Sequence, residues 1–149
     1  MNMMEAVKSV YSNYAKFSGR ARRAEYWWFY LFYLIVYLVL GVVDSLLFGT
    51  TTTGDGSFSA STDTPYLSMV WWLATIIPYL AVSVRRLHDI NRVGWWLFIG
   101  LIPLVGFIVL IVWFATGGDK GANRFGPDPI DGSDGDGGET YSDTSVPRV

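Results

Sequence analysis

The chain has 149 residues, of which 51% are hydrophobic and 17% aromatic, and its formal net charge is −2. Only 16% of the residues are charged, compared with roughly 25% in ordinary soluble domains, so the composition argues against a water-soluble globular protein. The sequence contains no cysteine, which excludes disulfides, thiolate metal ligands and thiol nucleophiles.

The N-terminal segment, residues 3–17, has the apolar spacing of a short amphipathic helix. Val7, Val10 and Tyr14 lie on one face of this helix, and Lys8 lies on the other. We predict that the helix lies in the lipid interface beside the first membrane span. The alternative is that it packs on the cytoplasmic ends of the spans.

Three long apolar runs dominate the remainder of the chain. Their uncharged stretches are 18, 19 and 26 residues long, at residues 26–43, 66–84 and 93–118. A hydrocarbon core about 30 Å thick is crossed by roughly 20 helical residues. The runs therefore predict an all-α membrane protein, a bundle of three transmembrane helices. The predicted spans cover about residues 26–48, 65–84 and 95–116.

The third run has an alternative interpretation. Pro103 and Gly106 lie near its middle and are the residue types of a turn. A re-entrant hairpin there would return the chain to the side from which it entered, and each arm would have only about 15 Å of helix. The three-span prediction places the end of the run on the opposite side.

The polar segments complete the predicted organisation. Residues 49–65 form a loop rich in Thr, Ser and Gly, and residues 85–94 form a tight polar loop. Residues 1–129 make up one membrane domain. Residues 130–149 are acidic, rich in Gly and Ser and poor in apolar side chains, so they predict a disordered tail.

The basic residues indicate an orientation in the cytoplasmic membrane. Eight of the eleven bases lie in the N-terminal arm and in residues 85–94, whereas nine of the thirteen acids lie in residues 49–65 and after the third run. The positive-inside rule then predicts a multi-pass protein with a cytoplasmic N terminus and an external C terminus.

Two arginine-rich clusters are the candidate functional residues. Basic side chains beside a membrane contact anionic phospholipid headgroups, each contributing on the order of 1 kcal/mol. We predict headgroup or partner-protein contact for the following residues: Arg20, Arg22, Arg23, Arg85, Arg86, His88, Asp89 and Arg92. The alternative of His88 as a general base lacks a second catalytic group, because adjacent His88 and Asp89 diverge on a helix. We predict no catalytic residue, metal site, cofactor or nucleic-acid partner.

Asp44 is the one acid within a predicted span, where a carboxylate is a functional candidate by default. It lies about 18 residues into the first span, close to the outer interface. We therefore predict an ordinary carboxylate in contact with solvent.

Four sequence blocks resemble the domain of unknown function 805 family of small bacterial and archaeal membrane proteins. The blocks are FSGRARRAEYW at residues 17–27, VRRLHDINRVGWW at 84–96, IPLVG at 102–106 and GANRFGPDP at 121–129. The second block, residues 84–96, has Asn91 where the family pattern has Gly. The resemblance implies a multi-span protein of the cytoplasmic membrane and no established activity.

The favoured function is non-enzymatic: an uncharacterised membrane protein whose Arg-rich cytoplasmic face contacts anionic lipid headgroups or a partner protein. The first alternative is a transporter or channel subunit, which with three helices would have to form a homo-oligomer. The second is an enzyme that acts on lipid headgroups.

Overall fold

The computed structural model describes residues 1–61 and 65–130, and the strands at residues 50–54 and 57–61 are described by their backbone. The elements in chain order are α1 Met3–Ser12, α2 Arg23–Phe48, β1 Thr50–Gly54, β2 Ser57–Ser61, α3 Tyr66–Asp89, a 3₁₀ helix Gly94–Leu101 and α4 Val105–Ala115. The predicted tail beyond Ile130 lies outside the described residues.

Helices α2 and α3 are an antiparallel pair and are the two helices long and apolar enough to cross a bilayer among the described residues. With 26 residues, α2 is about 39 Å long. Most of its apolar side chains face outward, as expected for lipid contact. The most exposed on the two helices include Leu38, Val42, Leu46, Leu47, Met69, Val70 and Leu73.

Helix α1 begins at a capping box in which Asn2 and Glu5 bond each other's backbone amides. It ends at Ser12, earlier than the predicted residue 17. Ala6 and Val10 are fully buried, and the Tyr11 ring packs edge-on against Phe29 of α2 with centroids 5.9 Å apart. These contacts correspond to the packed alternative for this helix.

The segment between α2 and α3 differs from the predicted loop. Strands β1 and β2 form an antiparallel hairpin whose turn is Asp55–Gly56, both with positive φ. An Asp-Gly pair is a preferred turn for such a two-residue connection. The prediction of an all-α fold is therefore correct for the parts of the chain that lie outside this short hairpin.

The third apolar run is not the single helix predicted over residues 95–116. The 3₁₀ helix and α4 are separated by a turn at Pro103 and Leu104, and Leu104 has φ +64°. Each arm is about 16 Å long, half the thickness of a bilayer core. The Trp96 and Trp113 rings meet edge-on, 5.6 Å apart, so the ends of the run lie side by side.

The hairpin is made compact by Gly106. A Cβ at this position would overlap the carbonyl oxygen of Ile99 in the 3₁₀ helix, so a larger residue would push the two arms apart. The segment after α4 consequently lies at the same end of the molecule as Arg85 and Arg86. This corrects the prediction that residues 85–94 and the segment after the third apolar run lie at opposite ends of the molecule.

Candidate functional site: a buried polar cap

Polar residues from three separate segments converge where α2 begins and α3 ends. We call residues 19–25, 85–92 and 116–130 together the polar cap. Residues 85–89 are the last turn of α3 rather than the predicted loop. Three of the four family blocks lie wholly or largely in this one cluster.

Asp89 holds the centre of the polar cap. One carboxylate oxygen pairs with Arg20 at 2.9 Å, and the other with Arg86 at 2.7 Å. All three side chains are at most 3% exposed. Buried charges of this kind persist only when each is paired and hydrogen-bonded.

The remaining donors of the two arginines bind backbone carbonyl oxygens in the last turn of α4 and in the segment after it. Arg20 donates to the carbonyl oxygens of Asp119 and Gly121, and Arg86 donates to those of Phe114 and Thr116. The arginine side chains thus tie the end of α4 to α3.

A third ion pair joins α2 and α3. Arg85 Nη1 donates to Glu25 at 3.0 Å, and the Ser9 hydroxyl of α1 donates to the same oxygen at 2.9 Å. The backbone amide of Ala21 also donates to the Arg85 carbonyl oxygen at 3.0 Å. Helix α1 and the segment before α2 therefore both contact the bundle at the Glu25–Arg85 ion pair.

The His88 side chain contacts other residues of the polar cap on two sides. Its Nδ1 lies 2.9 Å from the Gly19 carbonyl oxygen, which only accepts, so Nδ1 carries the hydrogen. Its ring stacks on Phe125, with centroids 4.0 Å apart and planes 2° from parallel. Gly19 has φ +86°, a conformation that glycine adopts without strain.

Asn91 ends α3 by a Schellman motif. The amides of Asn91 and Arg92 donate to the His88 and Leu87 carbonyl oxygens, and Asn91 has φ +59°. Asn tolerates this left-handed conformation better than most non-glycine residues, which explains why Asn replaces the expected Gly. Its side chain also accepts a hydrogen bond from Arg124 at 3.0 Å.

The last block, GANRFGPDP, folds as a closed loop over the end of α3. Asp128 accepts from the amides of Gly121 and Ile130, and Asn123 donates to the His88 carbonyl oxygen at 2.8 Å. Gly118 approaches Asp89 so closely that a Cβ there would overlap the carboxylate.

The predicted contact residues therefore fall into two groups. Five are buried in the polar cap and bind protein groups: Arg20, Arg85, Arg86, His88 and Asp89. The other three, Arg22, Arg23 and Arg92, are half-buried or exposed. Arg23 donates to the Ala115 carbonyl oxygen, and the Arg92 guanidinium lies 4.2 Å from the Trp113 ring centroid. Burial at this level leaves the first group little surface for a headgroup.

Asp44 has a role that the sequence did not reveal. It is fully buried, and its oxygens accept from the amides of Leu67 and Ser68 at 2.9 Å and from the Ser68 hydroxyl at 2.8 Å. These are the second and third residues of α3, whose N-cap residue, Pro65, makes no side-chain cap. Asp44 thus caps α3 from α2, contrary to the predicted solvent contact.

The described residues offer no grouping of three or more His, Asp and Glu side chains suited to a metal ion. The geometry instead defines a class: small helical integral membrane proteins whose spans are fastened at one end by buried ion pairs. The family model described as "Protein of unknown function (DUF805)" matches residues 14–127, and the chain belongs to this family. The resemblance inferred from the four blocks is confirmed.

Two relatives in Escherichia coli strain K12 support a membrane location. Inner membrane protein YhaI is 43% identical over 130 residues, covering 87% of this chain and 99% of the relative. Inner membrane protein YhaH is 40% identical over 126 residues, covering 85% and 97% respectively. No solved structure matches the chain. The chain is an integral membrane protein, as its hydropathy predicts.

Proposed function

We propose that the protein is a non-enzymatic component of the cytoplasmic membrane that crosses it twice. Helices α2 and α3 cross the bilayer, and the third apolar run enters as a re-entrant hairpin. The positive-inside rule places the polar cap in the cytoplasm. The segment after α4 is then cytoplasmic as well, since Arg86 and Arg20 bind it directly.

The surface of the hairpin supports this arrangement. Leu101 is 78% exposed and Leu104 is 72% exposed, both near the turn between its two arms. Exposing large apolar side chains at the turn of the hairpin is favourable in lipid, whereas it would raise the free energy of the protein in water. The turn backbone stays close to protein, because Gly106 lies against Ile99.

The proposed role is recognition of anionic lipid by the exposed bases at the rim of the polar cap. The observation that carries it is the division of the arginines: the buried ones are paired with acids or carbonyls, whereas Arg23 is exposed and Arg22 and Arg92 are half-buried at the rim. His88 supports a non-enzymatic role, since its Nδ1 hydrogen and one ring face are engaged by Gly19 and Phe125.

The test is the lipid retained by the full chain in nanodiscs of phosphatidylglycerol and phosphatidylcholine. We expect wild type to retain phosphatidylglycerol preferentially by mass spectrometry. The double variant Arg23→Gln, Arg92→Gln should lose about fivefold of this preference per charge, from about 1 kcal/mol each. The double variant to Lys keeps both charges and should retain most of it. If the Gln double variant retained phosphatidylglycerol with the same preference as wild type, lipid recognition by these bases would be contradicted.

A further inference from the structure

A small cavity of about 240 Å³ lies beside the polar cap, between α1 and the segment that precedes α2. Four bases and one acid are among its lining residues: Lys16, Arg20, Arg22, Arg85 and Glu25. Pockets for drug-sized ligands measure roughly 300–1,000 Å³, so this cavity suits a smaller group.

The charges of the lining do not cancel. Glu25 is paired with Arg85, and Arg20 is paired with Asp89 behind the cavity. Lys16 and Arg22 have no hydrogen bond or ion pair with the described part of the chain that would neutralise them. The cavity therefore carries about two uncompensated positive charges, which favour an anion.

Arg85 provides an independent indication of a missing partner. Its Nη1 bonds Glu25, but its Nε and Nη2 atoms are buried without a hydrogen-bond partner among the described residues. Leaving a buried donor of a charged group unpaired is unfavourable, so such donors normally have a hydrogen-bond partner. Guanidinium forks match phosphate oxygens in geometry.

We propose that this cavity binds one phosphate group, held by Arg22, Lys16 and the guanidinium of Arg85, which is one of the lining residues. The phosphate belongs either to a phospholipid headgroup or to a small soluble phosphate. The inference deepens the proposed function and rests on its placement of the polar cap beside the headgroups. Ser18, which also lines the cavity, supplies a neutral hydroxyl donor.

The experiment titrates the full chain in dodecylmaltoside micelles with two kinds of probe. Inorganic phosphate, with chloride at equal ionic strength as the control, tests the soluble source. Phosphatidic acid and phosphatidylglycerol, with phosphatidylcholine as the control, test the lipid source. Binding is followed by the thermal unfolding midpoint and by native mass spectrometry. We expect saturation at one phosphate group per chain.

Arg22→Gln and Lys16→Gln should each weaken this binding about tenfold. Lys8→Gln removes an exposed base from α1 that does not line the cavity, and it should leave the affinity unchanged. None of the three side chains is buried, and circular dichroism checks that the variants fold.

The outcomes separate the two sources and the two proposals. Saturable binding of inorganic phosphate identifies a soluble ligand, and saturable binding of the lipids alone identifies a headgroup; both support the site. Absence of saturation with every probe, or equal weakening by Lys8→Gln, overturns it. In that case, a phosphatidylglycerol preference that still depends on Arg23 and Arg92 leaves the proposed function standing.

Discussion

The two ends of the α2–α3 pair are fastened in different ways. At the end away from the polar cap, the Asp44 carboxylate of α2 caps the first turn of α3, and the Phe48 and Tyr66 rings meet edge-on with centroids 5.1 Å apart. At the other end, the polar cap uses two buried ion-pair clusters centred on Asp89 and Glu25. Between these ends the helices contact each other mainly through aromatic rings, such as Tyr33 and Trp71, with centroids 6.1 Å apart.

The difference follows from what each end must hold. The end at Asp44 joins two helices that are already connected by a short hairpin, so a capping carboxylate and one pair of aromatic rings are sufficient. The polar cap joins residues from 28 to 106 positions apart in sequence, including the end of α4 and the last block. Buried charges fix such distant segments in one arrangement because an unpaired charge there is very unfavourable.

The largest expected effect is from Asp89→Asn, which keeps the shape of the side chain and removes its charge. Arg20 and Arg86 would then lose their shared counter-ion while remaining buried. Removing one partner of a buried ion pair destabilises by about 3–5 kcal/mol. We expect a large fall in the thermal unfolding midpoint in micelles, measured by circular dichroism.

Asp119→Asn is the matched control for this change. Asp119 is exposed, and its side chain accepts only from Asn123, at 3.2 Å. An exposed substitution of this kind changes stability by about 0.5 kcal/mol or less. Equal destabilisation by the two variants would mean that the ion pairs do not fasten the polar cap.

Gly118→Ala tests the close approach of the segment after α4 to Asp89. The new Cβ would overlap the carboxylate, whereas a Cβ at neighbouring Gly117 would meet nothing within 4 Å. Overpacking of a dense site costs about 1–3 kcal/mol. We expect Gly118→Ala to lower the unfolding midpoint clearly and Gly117→Ala to leave it nearly unchanged. Similar midpoints for both variants would contradict the docked position of this segment.

Sequence patterns predicted the parts of this fold that depend on solvent preference. Helices α2 and α3 were predicted because uninterrupted apolar side chains face lipid along most of their length. The third run has the same composition, so hydropathy could not separate a span from a hairpin. The deciding features are local and three-dimensional: the positive φ of Leu104 and the contact of Gly106 with Ile99.

The sequence predicts which residues form the candidate site but not that most of them are buried and paired. The arginine clusters, His88 and Asp89 do come together, yet most are buried and paired rather than presented to lipid. Arg20 and Asp89 are 69 residues apart, and no spacing rule connects residues at that separation. The sequence likewise predicts solvent contact for Asp44, because its hydrogen-bond partners are backbone amides of another helix and leave no pattern in the side chains.

The smallest expected effect is at the end of the helix pair away from the polar cap, where Asp44→Ala removes the cap of α3. Loss of a helix cap costs about 1–2 kcal/mol, and Asp44→Asn, which still accepts hydrogen bonds, should lose roughly half as much. Hydrogen exchange should become faster at the amides of Leu67 and Ser68 in the Ala variant, while exchange in the polar cap should be unchanged. Faster exchange at both ends would show that the two fastenings are not independent, and the contrast between them would fail.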